Sequence, residues 1–212
     1  MKYILQLLWI SAAVLILFSG SCRKSNYEVE DGVVTISDNG EGTGTLTWTN
    51  DKSYLLEGFV FVNDGQELTI EAGTLIRLKT GQGSAASALI VARGGKIIAK
   101  GTSGEPIIFT VEGDNLQGSV PVDAQGLWGG LIILGRAPLN LSAGESNIEG
   151  IPLTEPRGVY GGLDPDDNSG ILQYISIRHA GTNIGEGNEI NGLTLGAVGS
   201  LTTIDHVEVI SC

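Results

Sequence analysis

Residues Leu68 to Ala99 read LTIEAGTLIRLKTGQGSAASALIVARGGKIIA and carry one apolar spacing twice. Leu68, Ile70 and Ile76 form the first copy and Leu89, Val91 and Ile97 the second, offset by 21 residues. A step of two is strand periodicity, because successive side chains of a β-strand point to opposite faces. Gly73 and the Gly94-Gly95 pair mark bends between short strands. Two short strands and a bend cannot bury their apolar side alone, but stacking the unit on a copy of itself does so. The stretch therefore predicts successive coils of a solenoid, about 21 residues each.

The triplet recurs at Leu131, Ile133, Leu139 and at Leu193, Leu195, Leu201. The intervals of 21, 42 and 62 residues are too uneven for plain coils, so the later coils are expected to carry inserted loops. Those loops are Lys79 to Ser87, Gly113 to Gln125, Leu141 to Asn168 and Thr182 to Asn191, all polar, glycine-rich and acidic, and function on a solenoid usually sits on such loops. A second strand type appears at Pro106 to Val111, Ile171 to Ile177 and Ile204 to Ile210. Leu172, Tyr174, Ile175 and Ile177 align with Ile204, His206, Val207 and Val209 at a constant shift of 32. Several strands per coil, with aliphatic ladders inside a tube, describe an all-β fold of the right-handed parallel β-helix class. With 32 glycines and 6% aromatics, the composition suits frequent bends and aliphatic packing. A β-sandwich is the alternative, but it predicts tight two-residue hairpins, which are scarce here.

The N-terminus has the build of an export signal over residues 1–21: Lys2, then an apolar run from Ile4 to Phe18, then small residues. Phe18-Ser19-Gly20-Ser21-Cys22 resembles the lipobox of bacterial lipoproteins. The resemblance implies cleavage before Cys22 and lipid attachment to it, and thus membrane anchoring. Arg23, in place of an aspartate that retains some lipoproteins in the inner membrane, points to the outer membrane of a bacterial envelope. Residues 22–50 read as a polar tether and N-terminal cap, with weak strands near Val33 to Ile36 and Thr45 to Trp48 and with Trp48 closing the core end. Residues 51–212 read as the β-helix, which stops inside the apolar strand Val207 to Cys212 without a polar cap. The sequence is therefore expected to be the N-terminal part of a longer protein.

Charge narrows the partners. Twelve Lys and Arg against 24 Asp and Glu give a net charge of −12, which argues against sequence-independent nucleic-acid binding. Divalent cations and neutral glycans suit such a surface better. With only Cys22 and Cys212, there is no disulfide framework and no cysteine-based zinc site.

Three groups of residues carry candidate chemistry. Asp164, Asp166 and Asn168 place oxygen ligands at alternate positions, the pattern of a Ca²⁺ loop, although Ile175 stands where an EF-hand needs an acid. Arg178, Glu186 and Glu189 form a candidate ligand-binding loop on neighbouring coils. Arg178 with Asp164, Asp166 and Asp167 is the nearest approach to a lyase set, whereas alternation from Ile175 carries His179 inward as a hydrogen-bonded core residue and leaves His206 outward at the equivalent corner. Trp128, Tyr160 and Tyr174 would make a carbohydrate platform if gathered, with a buried plug as the simpler role for Trp128. No nucleophile motif is present and no catalytic residue is assigned.

GFVFVNDGQELTIEAGTLI, ALIVARGGKIIAKGTSGEPIIFT, GLWGGLIILGRAPLN, IEGIPLTEPRGVYGG and LQYISIRHAGTNIGEGNEINGLTLGAVGS, in that order, resemble Bacteroidetes-type cell-surface β-helix proteins. Members of that group are described as hypothetical lipoproteins or type IX secretion cargo. The resemblance covers Trp48 to Ser211 and implies a pectin-lyase-like β-helix on the cell envelope with no established activity. The expectation is a lipid-anchored binding or display module for surface glycans. The alternative is a Ca²⁺-dependent polysaccharide lyase, or another carbohydrate-active enzyme, on the same fold.

Overall fold

The computed structural model describes residues 27–30, 32–185 and 188–212. The export signal and Cys22 lie outside these residues. The chain opens with β1 (Tyr27–Glu30), antiparallel to β2 (Val33–Ser37), and continues through β3 (Leu46–Trp48), β4 (Ser53–Glu57), β5 (Phe59–Val62) and β6 (Glu67–Ile70). Next come β7 (Leu75–Leu78), β8 (Ala88–Val91), β9 (Lys96–Lys100), β10 (Ile107–Val111) and β11 (Leu131–Leu134). A hairpin of β12 (Glu145–Asn147) and β13 (Val159–Gly161) precedes the long β14 (Gly170–Arg178). A second hairpin, β15 (Asn183–Gly185) with β16 (Asn188–Glu189), precedes β17 (Leu193–Gly196) and β18 (Thr203–Ile210).

Parallel pairing stacks these strands into three faces. The first face is β2, β4, β7, β10 and the second half of β14, with β18 beside it. The second is β5, β8, β11 and β17. The third is β3, β6, β9 and the first half of β14, again with β18 beside it. β14 serves two faces because it bends at Tyr174, whose φ of 51° lies in the left-handed region. This is a parallel β-helix, as the sequence predicts. Among the described residues antiparallel hairpins occur only in the N-terminal β1–β2 pair and in the inserts, so the sandwich alternative is not what forms.

Inside the tube the rungs align as ladders: Tyr54, Ile76, Phe109, Ile177 and Val209 on one face, and Val60, Leu89, Leu131 and Leu193 on another. Most of these side chains are fully buried, and each contributes roughly 1.5–3 kcal/mol. The shift of 32 between β14 and β18 holds along the whole pair.

The founding repeat is placed differently from its reading. Leu89, Leu131 and Leu193 are in register as expected, but Leu68 stacks on Leu46 and Ile97, on another face. Leu139 lies in an insert, against Gly161. Every face of a β-helix has the same alternation and the same bends, so a spacing taken from one face matches another. Stacked residues are 22 apart from Leu46 to Leu68 and from Tyr54 to Ile76, close to the expected coil length, and 29 apart from Val60 to Leu89.

β2 and β3 pair in parallel with β4 and β6, so the first coil lies within the stretch read as tether and cap. Trp48 is buried there and stacks on Tyr54 with ring centroids 5.0 Å apart. Tyr27 packs on the same end and donates its hydroxyl to Thr43 O at 2.6 Å, and burial pushes its pKa up to about 12.

The second face is buried on both sides, which explains why ALIV and LIIL are unbroken apolar runs. Phe61, Ile90, Ile132 and Leu134 point out of the tube and are covered by Ile148 and Ile151 of the long insert and by Ile190. The inserts at 79–87, 112–130 and 179–192 all join the first face to the second. The long insert, 135–169, joins the second face to the third and folds back over the second.

Candidate ligand groove

Where the second face turns into the third, consecutive coils place their turns side by side. Asn63-Asp64 follows β5, Arg93-Gly94-Gly95 follows β8 and Gly135-Arg136 follows β11. Gly65 N donates to Gly94 O at 3.1 Å, tying the first two turns together. Gly94 has φ +89°, and a Cβ there would lie 2.1 Å from Asp64 Oδ1 and 2.3 Å from Arg136 Nη2. Only a glycine lets Arg136 pass over it to donate to Asp64 Oδ1 at 2.9 Å, two coils away.

The long insert forms the opposite wall. Arg93 Nη1 donates to Gly161 O at 2.8 Å and to the Glu145 carboxylate. Asp164 N donates to Arg136 O at 3.0 Å. Arg157 donates to Asp38 Oδ2, Glu155 Oε2 and Asn63 Oδ1, with its guanidinium 3.8 Å over the Phe61 ring. The hydrogen bond from Arg157 holds the Glu155 carboxyl below the usual glutamate range. Between the walls lies a groove of about 850 Å³, within the range of small-ligand sites. Asp64, Arg93, Arg136, Glu145, Arg157 and Asp164 supply its ionisable lining, and Ala92, Val159 and Leu163 its apolar patches. Such a lining offers oriented donors and acceptors beside C–H surface, which is what the hydroxyls and ring faces of a sugar require.

The residues singled out from sequence are distributed elsewhere, apart from Asp164. Asp164 Oδ1 accepts from Asp166 N at 3.1 Å, Asp166 Oδ1 from Ser200 Oγ at 2.6 Å and Asn168 Oδ1 from Gly170 N at 3.0 Å. The three oxygens thus serve separate local bonds. Among the described residues no group of three or more His, Cys, Asp or Glu is arranged to hold a metal ion. Asp167 is buried and accepts from Ser169 Oγ.

Arg178 lies on the outside of the first face, with Nε on Ser176 Oγ at 2.8 Å and Nη2 3.9 Å from Glu208 Oε1. It stands at the far end of β14 from the Asp164–Asp167 turn, and each leg of that bent strand runs about 13 Å. Glu189 is in β16, where its N–H donates to Glu149 Oε1 at 3.1 Å. Glu186 lies outside the described residues.

His179 is buried, donating Nδ1 to Ala124 O at 2.6 Å, and it fastens the 113–126 insert to the coil. His206 is exposed, but its equivalent one coil back is Tyr174, while the equivalent of His179 one coil on is Ser211. Tyr174 and His206 share a left-handed φ of 51° and stack at 4.3 Å. Trp128 is a fully buried plug whose Nε1 donates to Arg178 O at 2.7 Å, and Tyr160 packs on the second face, so these aromatics do not form a platform. Sequence reasoning missed Arg93, Arg136 and Arg157. The signal for Arg93 and Arg136 was an arginine one small residue past each of two buried apolar strands, VAR and LGR, in a chain with few cations; Arg157 had no such signal.

The family model described as a pectate-lyase like beta helix domain matches residues 40–212. The chain belongs to that family. No curated protein and no solved structure matches this β-helix protein. In this member of the family the groove lies on the turns between stacked strands and on the insert that walls them.

Proposed function

We propose that this chain is a binding module of the bacterial cell envelope, lipid-anchored through Cys22, that takes a glycan in the groove between the stacked turns and the long insert. The observation that carries this reading is the pairing of Arg136 with Asp64 and of Arg93 with Glu145 across one groove, which fixes donors and acceptors side by side. Sugar hydroxyls both donate and accept, so one hydroxyl bridges such a pair. Binding is favoured over a lyase because a lyase needs a base and a cation or arginine at a single sugar, and Arg178 stands at the opposite end of β14 from the Asp164–Asp167 turn.

A glycan array probed with the full chain in detergent tests the reading. Wild type is expected to retain at least one glycan, and the Arg93→Ala/Arg136→Ala double variant to lose it. Retention by both, or by neither, defeats the reading. The anchor is tested apart from this: Cys22→Ala is expected to move the protein from the membrane fraction to the soluble one.

A further inference from the structure

The charge pattern of the groove narrows its ligand, an inference that rests on the glycan reading above. Arg93, Arg136 and Arg157 face Asp64, Glu145 and Asp164 along the lining. Behind them, Asp38 and Glu155 hold the guanidinium of Arg157. Three cations thus meet five carboxylates, in a chain whose net charge is −12. Arg136 is engaged by Asp64 and Arg93 by Glu145, so neither guanidinium waits for an anion.

An acidic sugar, whether it displaces Asp64 or Glu145 or takes the guanidinium N–H groups they leave free, lies beside those carboxylates, a like-charge contact that discriminates against it. An uncharged sugar breaks neither pair. Its hydroxyls donate to the remaining carboxylate lone pairs and accept from the remaining guanidinium N–H groups, of which each arginine has five. Leu163, 91% exposed at the rim, and Val159 meet its C–H faces.

Direction follows from the coils. Asp64, Arg93 and Arg136 come from three consecutive turns, each about 4.8 Å from the next, and the groove of about 850 Å³ that they line holds more than a single pyranose ring fills. We infer that the groove takes an uncharged oligosaccharide laid across successive coils, and that it discriminates against polyuronates.

The test is calorimetric titration of the full chain in detergent with xylo-, cello- and manno-oligosaccharides and with oligogalacturonates of the same length, at about 0.05 and 0.5 M salt. At least one neutral series is expected to bind, with less than about a twofold change between the two salts. Oligogalacturonates are expected to bind at least about tenfold more weakly. Arg136→Ala and Asp64→Asn are each expected to lower the neutral-sugar affinity about tenfold. Both side chains are well exposed, so the variants are expected to melt as wild type does. Tighter, salt-sensitive oligogalacturonate binding that Arg136→Ala abolishes overturns the inference and leaves the glycan reading standing. Neutral binding untouched by both variants overturns the placement in the groove. Failure of every sugar to bind overturns the inference together with the reading beneath it.

Discussion

Arg157 reaches from the long insert to Asp38 in the first coil, its Nη1 donating to Asp38 Oδ2 at 2.7 Å across 119 residues of sequence. The Asp38 side chain is 1% exposed and also accepts from the N–H groups of Gly40, Gly42 and Phe61. Removing the cation leaves a desolvated carboxylate without its partner. Arg157→Ala is therefore expected to lower the unfolding free energy by about 3 kcal/mol in a denaturant titration. A double-mutant cycle with Asp38→Ala should return a coupling of about 1 kcal/mol or more, and a coupling near zero would remove the clamp from the account.

The same arginine sets an acid-side dependence. Its hydrogen bond depresses the Glu155 carboxyl below the ordinary value of 4.5, against an opposing effect of burial. A depressed folded-state value means that the stabilisation is complete above the unfolded value and is lost as pH falls through the folded one. The denaturation midpoint should drop as pH falls below about 4.5, and Glu155→Gln should flatten part of that drop. An unchanged slope in the variant would show that other carboxylates carry the effect.

The corner shared by Tyr174 and His206 permits a test of backbone conformation. At φ 51° a β-branched side chain is strained, whereas asparagine is tolerated. His206→Val is expected to be about 1–2 kcal/mol less stable than His206→Asn, both having lost the ring stacked on Tyr174. Equal thermal shifts for the two would argue against the left-handed corner.

Ladder position should govern the cost of truncation. Leu89 is fully buried between Val60 and Leu131, so Leu89→Ala is expected to cost about 3 kcal/mol. Leu195, 44% exposed in β17 of the same face, should cost less than about 1 kcal/mol when truncated to alanine in this chain. Similar costs at the two sites, read from denaturant midpoints, would contradict the register.

The ladders were legible in the sequence because the inside of a tube imposes period two on every face, and Leu89, Leu131 and Leu193 kept their spacing through all the insertions. That same uniformity hid which face a triplet belongs to, so Leu68 and Leu89 looked like neighbours in one ladder when they lie on two faces. The groove was not legible. Arg136 meets Asp64 only because two coils of different length bring positions 72 apart together, and no local pattern records that offset. Acidic alternation at Asp164, Asp166 and Asn168 has two readings for a related reason. Asp and Asn side chains that accept from the N–H two residues on produce the same spacing as a cation loop, and Asp164 and Asn168 do this here.

The most direct measurement of the central claim is backbone hydrogen exchange of the full chain with and without neutral oligosaccharides. The groove predicts protection confined to residues 63–66, 92–95 and 135–137 and to the facing wall at 144–164. Protection centred instead on the Tyr174 and His206 corner, or no protection with any sugar, would contradict it.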